Sequence, residues 1–382
     1  MKAISVLFVF FVVTIAGLWG CLSEKGGAMK TEKIHLWTSS EGRSVDLYTL
    51  TNSSGAEMKV MSLGGVVYSL RVPDRNGKME DVILGFEEAR GYENNKPYFN
   101  GLIGRFGNRI ADGRFVLDGR EYRLATNNGP NHLHGGTKGF ETKIWDVTPI
   151  QKKNAVGLEL RYQSADNEEG YPGKLSVQVT YLWTDSNEWK IEYQAQTDRT
   201  TIVNLTQHAY FNLSGDGARD ILGHELMLAA DRFTPIDEKF IPTGELRSVR
   251  NTPMDFTHPQ TVGARIDGRD EQLVRGLGYD HNWVLNSGGR ALEMAGTLFD
   301  PISGRFMEVY TTQPGIQFYS GNFLDGTITG KYGKTYTKHY GLCLETQHFP
   351  DSPNRPDFPT VVLKPGQTYT QTTVYTFKIK TQ

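Results

Sequence analysis

Residues 175–183 read LSVQVTYLW and alternate with a period of two over their whole length. In an extended strand, side chains two positions apart lie on the same face, whereas a helix repeats every three to four residues. The stretch therefore predicts a β-strand, and the same kind of pattern recurs along the chain.

Short runs of β-branched and aromatic residues follow one another from residue 32 onward, separated by Asn-Gly and Asp-Gly dipeptides. Such dipeptides close two-residue hairpins, because both central positions need a positive φ angle. Residues 115–124, FVLDGREYRL, show two strands around one turn of this kind. Segments with a helical period are nearly absent, and no repeat or linker divides residues 32–382. We therefore predict an all-β fold, a single large antiparallel β-sandwich.

The composition is that of a globular protein, with 38% hydrophobic and 22% charged residues in a chain of 382, which is enough apolar material for a sizeable core. The formal net charge is −2. The sequence shows no cluster of Lys and Arg that could bind a phosphate backbone, so we expect no nucleic-acid partner. The 18 Tyr and 19 Phe residues favour strands and also present flat faces to sugar rings.

The N-terminus has the features of an export signal. Residues 4–19 form an apolar run that is too short to be trusted as a membrane-spanning helix. Residues 18–21, LWGC, resemble the lipobox of bacterial lipoproteins, in which the cysteine is acylated and becomes the new N-terminus. We expect a signal at residues 1–20, a lipid anchor at Cys21 and a polar tether over residues 21–31, with simple secretion as the alternative. The protein would lie at the periplasmic face of the cell envelope, and Leu22 favours the outer membrane.

Cys21 and Cys343 are the two cysteines of the chain. If Cys21 carries the lipid, Cys343 has no partner, and no disulfide is expected. Cys343 lies in the run GLCLE, which is typical of a small buried hydrophobe rather than a nucleophile.

Residues 203–213, VNLTQHAYFNL, contain the first candidate for chemistry. As a single strand they would place mainly apolar side chains on one face and Asn204, Thr206, His208, Tyr210 and Asn212 on the other. That second face is polar without a Lys, Asp or Glu, which a merely solvated face would normally include. Neutral hydrogen-bonding groups around one histidine suit a hydroxyl-rich ligand, and a structural histidine is the alternative.

A carboxylate stands in the middle of the apolar run 342–347, LCLETQ. Glu345 would share a strand face with Cys343. Because a buried carboxylate needs a partner or a function, Glu345 is either a general base or half of a core ion pair with Arg105 or Arg109.

Two further motifs indicate ligand binding without deciding the ligand. Residues 101–110, GLIGRFGNRI, are rich in glycine, but their spacing is not that of a nucleotide-binding loop. His132 and His134, in NHLHGG (131–136), would share a strand face and could hold a metal. The sequence offers no third ligand at a recognisable spacing, so a loop that presents imidazole and backbone groups to a ligand is favoured.

Seven motifs in order resemble those of the aldose 1-epimerase (galactose mutarotase) family, over roughly residues 32–380. They are GRFGNRI (104–110), NHLHGG (131–136), EGYPG (169–173), NLTQHAYFNL (204–213), GYDHN (278–282), TQPGIQFY (312–319) and LETQ (344–347). Each motif alone is weak, but seven in the same order are specific.

The resemblance implies a one-domain β-supersandwich with a shallow sugar cleft and with neither metal nor cofactor. It implies that His208 is the general acid and Glu345 the general base. The residues it assigns to the sugar hydroxyls are Asn108, Arg109, His134, Asp280 and Gln317. The implied substrates are free aldoses such as galactose and glucose, in hexose metabolism. We expect a monomer whose only membrane contact is the lipid anchor.

Anomer exchange requires the C1 hydroxyl to lose a proton while the ring oxygen gains one, so that the ring opens to an aldehyde that can rotate and reclose. We expect Glu345 to take the first proton as a carboxylate and His208 to donate the second as an imidazolium. Arg109, His134 and Asp280 would position the rest of the sugar through charge-assisted hydrogen bonds.

Three other functions fit parts of the pattern. A glycoside hydrolase would use Glu345 and Asp280 as its two carboxylates. A sugar-binding lipoprotein would leave the anomers unchanged, although the presence of both an acid and a base argues against it. A sugar-phosphate epimerase would need a cluster of Arg or Lys that the sequence does not show.

Overall fold

The computed structural model of the protein describes residues 27–380. The predicted export signal, the lipid anchor at Cys21 and residues 21–26 of the tether lie outside the described residues. Within residues 27–380, no helix has the length and apolar character needed to cross a membrane.

The described chain consists mainly of antiparallel strands, as the alternating pattern predicts. The strands, in chain order, are β1 (Lys30–Thr38), β2 (Ser44–Thr51), β3 (Glu57–Met61), β4 (Val67–Pro73), β5 (Met79–Asp81), β6 (Leu102–Ile103), β7 (Arg109–Ile110), β8 (Arg114–Leu117), β9 (Arg120–Arg123), β10 (His132–Leu133), β11 (Asp146–Lys152), β12 (Ala155–Ser164), β13 (Leu175–Thr184), β14 (Glu188–Thr197), β15 (Thr201–Ile202), β16 (Thr206–Gln207), β17 (Tyr210–Phe211), β18 (Glu225–Leu228), β19 (Arg232–Thr234), β20 (Arg247–Ser248), β21 (Gln260–Thr261), β22 (Asp280–Val284), β23 (Glu293–Phe299), β24 (Arg305–Thr311), β25 (Gly315–Tyr319), β26 (Leu342–Gln347), β27 (Val362–Leu363) and β28 (Tyr369–Ile379).

Helical structure in residues 27–380 is confined to one short α-helix and a few 3₁₀ helices. They are α1 (Glu271–Gly276) and the 3₁₀ helices Ala89–Asn94, Ala111–Gly113, Phe140–Thr142, Glu168–Gly170, Val262–Ala264, Lys331–Gly333 and Ser352–Asn354.

Within residues 27–380, three larger sheets form the framework of the fold. One has five strands in the order β1-β2-β3-β4-β5, one has nine in the order β11-β12-β13-β14-β28-β24-β23-β18-β21, and one has six in the order β17-β26-β25-β22-β19-β20. All neighbouring strands in them run antiparallel. The all-β prediction is therefore confirmed.

The strand β13 shows why the pattern of residues 175–183 was informative. Val177 and Val179 are buried, whereas Ser176 is exposed and Gln178 is half-buried. The hairpin predicted for residues 115–124 also forms, since β8 and β9 flank Asp118 and Gly119, whose φ angles are 50° and 77°.

One large apolar cluster fills the space between the sheets and receives side chains from all three of them. Trp183 and Trp189 enter it from the nine-stranded sheet, and Trp283 enters from the six-stranded sheet. Because one face of the six-stranded sheet is committed to this core, polar side chains of opposite parity lie on its other face.

Residues 203–213 do not form the single strand that the sequence predicted. They form the short strands β16 and β17, and β16 pairs with β6 while β17 pairs with β26. Both faces of the segment are buried. Its polar side chains mostly bind the backbone: Thr206 donates to the carbonyl of Thr346, and Asn212 donates to the carbonyl of Tyr340. The neutral polar residues that predicted a ligand site therefore include residues whose side chains form buried hydrogen bonds with the backbone.

The predicted tether is shorter than expected at its C-terminal end. Strand β1 begins at Lys30, which pairs with Thr51, so Lys30 and Thr31 belong to the folded unit. Most of β1 is exposed at the edge of its sheet, and a strand of this kind lacks the apolar alternation that would reveal it.

Candidate active site

Three of the predicted site residues lie on the outer face of the six-stranded sheet. The apolar side chains of its central strands point into the core. Asp280 in β22, Gln317 in β25 and Glu345 in β26 have the opposite parity and lie on the other face. The strand register places Gln317 directly opposite Glu345.

His208 reaches the same face through the pairing of β17 with β26, in which Tyr210 lies opposite Cys343. The same register, continued by two residues, places His208 opposite Glu345. The His208 Nε2 and Glu345 Oε1 atoms are 3.7 Å apart. The backbone N–H of His208 donates to Gln207 Oε1 at 2.7 Å, which holds this segment in place.

Asn108, Arg109 and His134 lie in or next to a separate two-stranded sheet, in which β7 pairs with β10. Asn108 and His134 have φ angles of 65° and 51°. The next residue, Gly135, has a φ of +88°, and a Cβ there would overlap the carbonyl oxygen of Gly104. The turn that delivers His134 therefore requires glycine at position 135.

These segments enclose a cleft of about 310 Å³. Its polar wall comprises Lys96, Asn108, Arg109, Asn128, His134, His208, Asp280 and Glu345, and its aromatic wall comprises Tyr98, Tyr210, Tyr319 and Phe323. The volume is at the lower end of the range for small-molecule sites. Six of the seven residues predicted for catalysis and substrate binding line the cleft, and Gln317 does not.

Gln317 lies beneath the wall and supports Asp280. Its Nε2 donates to Asp280 Oδ1 at 2.7 Å. The other Asp280 oxygen, Oδ2, is 3.7 Å from Arg109 Nη1. In this arrangement Gln317 orients a carboxylate of the cleft, and the direct sugar contact that the resemblance implies stays a prediction. The sequence could not separate the two roles, because both positions share one face of the sheet.

Burial shifts the proton affinities of the central pair in opposite directions. It raises the pKa of Glu345 well above the usual range, and the Asp280 carboxyl adds to the rise while Arg109 opposes it. Burial lowers the pKa of His208 to about 4. Burial therefore favours the uncharged forms of both groups in the free protein, a protonated Glu345 and a neutral His208. The carboxylate and the imidazolium that the sequence analysis expects are the forms that act on the sugar, and they stay a prediction about the sugar-bound protein.

The structure does not support the alternative that Glu345 is half of a core ion pair. Arg105 donates to the Ser164 hydroxyl and to the carbonyl of Gly173, and Arg109 is paired with Asp280. Among residues 27–380, Glu345 has no Arg or Lys partner, and its Oε2 has no hydrogen-bond partner. A buried carboxylate oxygen of this kind is available to a ligand.

His132 and His134 do not form the metal pair that their spacing allowed. His132 is buried elsewhere, with Nδ1 2.7 Å from the carbonyl of Ala125 and Nε2 2.6 Å from the hydroxyl of Tyr171. His134 alone faces the cleft, because the positive φ angle at that position turns the chain away from the strand direction.

A different trio could be considered for a metal, since ligand atoms of His134, His208 and Glu345 lie within 4.8 Å of one another. The backbone N–H of Asn108 donates to His134 Nδ1 at 3.2 Å. The ring hydrogen of neutral His134 is therefore on Nε2, and a nitrogen that bears hydrogen donates hydrogen bonds rather than binding metal. The site is thus better suited to hydroxyl groups.

From the aromatic side of the cleft, the sequence analysis named only Tyr210 as a neighbour of His208. The ring of Tyr98 lies 4.7 Å from that of His134 and 5.9 Å from that of His208, measured between centroids. Phe323 is half exposed and stacks on Tyr319 at 5.8 Å. For Tyr98 and Phe323, the abundance of Tyr and Phe was the only sequence signal, and it did not indicate which positions would be used.

Comparison with known proteins places this arrangement in a family. Residues 46–376 match the family model described as aldose 1-epimerase. The chain belongs to the aldose 1-epimerase family. A galactose mutarotase from Bos taurus is 48% identical over 327 residues, which cover 86% of this chain and 92% of that protein. An aldose 1-epimerase from Escherichia coli (strain K12) is 35% identical over 339 residues, covering 88% and 96% of the two chains.

Solved structures agree with the fold. A galactose 1-epimerase from Lactobacillus acidophilus has a TM-score of 0.82 and 25% identity, covering 93% of this chain and 100% of that one. An aldose epimerase homologue from C. elegans has a TM-score of 0.79 and 29% identity, with the same coverage. The resemblance seen in the seven motifs and the predicted supersandwich are both confirmed, and the protein is an enzyme of the epimerase class.

Proposed function

We propose that the cleft interconverts the α and β anomers of a free aldose by opening and reclosing the sugar ring. The observation that carries this proposal is the 3.7 Å approach of His208 Nε2 to Glu345 Oε1 in a cleft of about 310 Å³. Ring opening needs one proton removed from the C1 hydroxyl and one delivered to the ring oxygen. Two adjacent groups that hold one proton between them meet this requirement.

The proposed reaction begins when the sugar binds. Its hydroxyl groups donate to the Glu345 oxygens, which favours the carboxylate and moves the shared proton to His208. Glu345 then takes the C1 hydroxyl proton while His208 Nε2–H protonates the ring oxygen. The bond between C1 and the ring oxygen breaks, and the electron pair of the former O–H bond forms the aldehyde.

Ring opening leaves a protonated Glu345 and a neutral His208, which are the forms that burial favours. The same environment that opposes the charged pair therefore favours the state present with the open-chain aldehyde. Rotation about the C1–C2 bond exposes the other face of the aldehyde, and the reverse proton transfers close the ring to the opposite anomer.

The remaining polar groups of the cleft are proposed to position the sugar. Asp280 accepts from hydroxyl groups, and Arg109 donates to them while it is held by Asn128 Oδ1 at 3.0 Å from its Nε. His134 donates through Nε2–H. Groups fixed in this way lower the barrier by holding the reacting atoms in line, without taking part in proton transfer.

Galactose and glucose are the proposed substrates. Several relatives are named for galactose, including the mutarotase from Bos taurus and the epimerase from Lactobacillus acidophilus. Anomer exchange in either sugar alters the same C1 centre, so the chemistry at Glu345 does not distinguish them.

Polarimetry with freshly dissolved α-galactose and α-glucose tests the proposal. The purified protein should bring the optical rotation to equilibrium faster than buffer alone, and the Glu345→Gln variant should approach the buffer rate. Relaxation at the buffer rate with intact protein would refute the epimerase mechanism. Release of new reducing ends from an oligosaccharide would instead support a glycoside hydrolase.

We also propose that the protein is exported, is lipid-anchored through Cys21 at the periplasmic face of the cell envelope and acts as a monomer. The support is the apolar run at residues 4–19 followed by LWGC. In cells fed labelled palmitate, the native chain should carry label in the membrane fraction, and Cys21→Ser should carry none. Light scattering of the released protein tests the monomer.

A further inference from the structure

The motif EGYPG, residues 169–173, lies beside the turn that carries His134. It is one of the seven motifs that resemble the family, yet none of its residues lines the cleft. Its side chains instead contact residues 132–138, of which His134 belongs to the cleft wall. A role for this motif in the reaction would therefore act through His134.

The turn at His134 has a backbone conformation that needs support. His134, Gly135 and Gly136 have φ angles of 51°, 88° and 113°. A positive φ angle is unfavourable for a residue with a side chain, so the surrounding structure must hold His134 in this conformation. Because the direction of the Cα–Cβ bond follows the backbone angles, a relaxed turn would rotate the His134 ring relative to the sugar.

Glu169 holds the C-terminal end of this turn. Its Oε2 accepts the backbone N–H of Thr137 at 2.9 Å, and its Oε1 accepts that of Lys138 at 3.2 Å. Hydrogen bonds to a carboxylate are stronger than those between neutral groups. The carboxylate packs directly on Gly136, where a Cβ would lie 2.2 Å from Oε2, so this approach requires glycine.

Tyr171 holds the other end of the turn through His132. Burial lowers the pKa of His132 to about 4, so its ring is neutral at neutral pH. The carbonyl of Ala125 lies 2.7 Å from His132 Nδ1. Because a carbonyl can only accept, Nδ1 bears the ring hydrogen and Nε2 is the acceptor. The buried Tyr171 hydroxyl therefore donates to His132 Nε2 at 2.6 Å, two residues before His134.

The end of the motif is joined to the segment that carries Asn108 and Arg109. The buried Arg105 donates through Nη1 to the carbonyls of Pro172 and Gly173 at 3.0 and 2.8 Å. Arg105 lies three residues before Asn108 in the chain. The motif is therefore fixed to both segments that supply this side of the cleft.

We propose that Glu169 and Tyr171 are positioning residues for sugar binding, which hold the two ends of the His134 turn so that the His134 ring stays directed at a hydroxyl group of the sugar. The inference rests on the proposed function, in which His134 Nε2–H donates to the sugar. Loss of either positioning residue should weaken binding and leave proton transfer between His208 and Glu345 intact.

The test measures kcat and KM from polarimetric rates at several galactose concentrations. Glu169→Gln keeps the size of the side chain, but an amide accepts through only one of its two terminal atoms, so one backbone N–H loses its acceptor. KM should rise about 2- to 10-fold, the range expected when one hydrogen bond to the sugar is weakened, and kcat should change by less than about twofold. Tyr171→Phe should act in the same direction. A loss of folded protein would instead lower kcat at an unchanged KM, because it removes active molecules without altering the rest.

A matched control is available in Asp74, in the turn between β4 and β5. Its Oδ1 accepts the backbone N–H groups of Asn76 and Lys78 at 2.8 Å each, and it does not line the cleft. Asp74→Asn removes the same charge from a carboxylate that also binds two backbone N–H groups of a turn. It should leave the KM for galactose unchanged.

A double variant separates the proposed route from a direct one. Because Glu169 acts through His134, Glu169→Gln should raise KM no further in a protein that already carries His134→Ala. The proposal is overturned if Glu169→Gln leaves KM unchanged, if Asp74→Asn raises it equally, or if the effects of Glu169→Gln and His134→Ala multiply in the double variant. If the unsubstituted protein relaxes galactose at the buffer rate, the proposed function fails as well, so the two failures are distinguishable.

Discussion

At the residue scale, burial favours the neutral forms of both Glu345 and His208, because it raises the pKa of the carboxyl and lowers the pKa of the imidazole. Their atoms are 3.7 Å apart, which leaves room for a sugar hydroxyl to bond to both. The His208 ring is held on its other side by a 3.5 Å contact between its Nδ1 and Cys343 Sγ. This geometry allows the roles of acid and base to be tested separately from binding.

Glu345→Gln and His208→Asn should each lower kcat about 10²- to 10⁴-fold, the usual contribution of a general acid or base, while KM changes little. Asp280→Ala should chiefly raise KM, since Asp280 is proposed to bind without proton transfer. Polarimetric rates at several sugar concentrations separate the two effects. Equal losses of binding in all three variants would contradict these roles.

The pH dependence of kcat/KM should be flat across the neutral range. The pair needs one proton, and it keeps one between the pKa of His208, about 4, and the raised pKa of Glu345. At a pH below the pKa of His208, both groups are protonated and no base is left. At a pH above the pKa of Glu345, neither group can donate a proton. Rates corrected for buffer catalysis should therefore fall at acid and alkaline extremes, and a single inflection near pH 6.5 would be inconsistent with a buried His208.

Gln317 should behave as a positioning residue for Asp280. Gln317→Ala removes the 2.7 Å hydrogen bond to Asp280 Oδ1 and should raise KM by less than Asp280→Ala does, with kcat little affected. Because Gln317 acts through Asp280, the double variant should resemble Asp280→Ala alone. Additive effects on KM would indicate that Gln317 contacts the sugar directly.

At the scale of elements, the site is assembled by strand parity and register. Strands β22, β25 and β26 turn their apolar side chains to the core, so Asp280, Gln317 and Glu345 lie together outside. The register of β17 on β26 then brings His208 opposite Glu345. A shift of one residue in either pairing would send the catalytic side chain to the wrong face.

The turn after His134 offers a test of element geometry. Gly135→Ala should lower the melting temperature and impair sugar binding, since it combines a φ of +88° with an overlap at the Gly104 carbonyl. We expect a loss of more than about 1 kcal/mol in the free energy of unfolding. Gly77→Ala is the matched control: its φ is +80°, but a Cβ there meets nothing within 4 Å among the described residues. Similar losses in both variants would show that the backbone angle alone matters.

At the scale of the whole molecule, stability should depend on Glu141. Burial raises its folded-state pKa to about 8, above the ordinary value of 4.5, so the folded protein binds a proton that the unfolded chain releases between these two pH values. The contribution of Glu141 to stability is therefore fully present below pH 4.5 and is lost as the pH rises toward 8, with one unit of pKa shift corresponding to about 1.4 kcal/mol. Chemical denaturation from pH 5 to 9 should show this decline in the native chain and a smaller one in Glu141→Gln. Parallel curves would mean that the carboxyl titrates normally.

The sequence by itself determined the fold class, because a period of two and Asp-Gly turns are local properties of strands and hairpins. It also determined the family and most of the cleft residues, since the seven short motifs can be recognised without knowledge of the surrounding structure. The local pattern wrongly predicted a single strand for residues 203–213, where buried polar side chains bind the backbone of distant strands. It also missed the start of β1, because that strand is mostly exposed at the edge of its sheet.

Only the tertiary structure decided which polar groups face the ligand and in which protonation state. The distance between His208 and Glu345, the placement of Gln317 beneath Asp280 and the hold of Glu169 on the His134 turn depend on contacts between residues far apart in the chain. The physical reason is that hydrogen bonding and the removal of water act through space, so proton affinity and ligand access cannot be read from the order of residues.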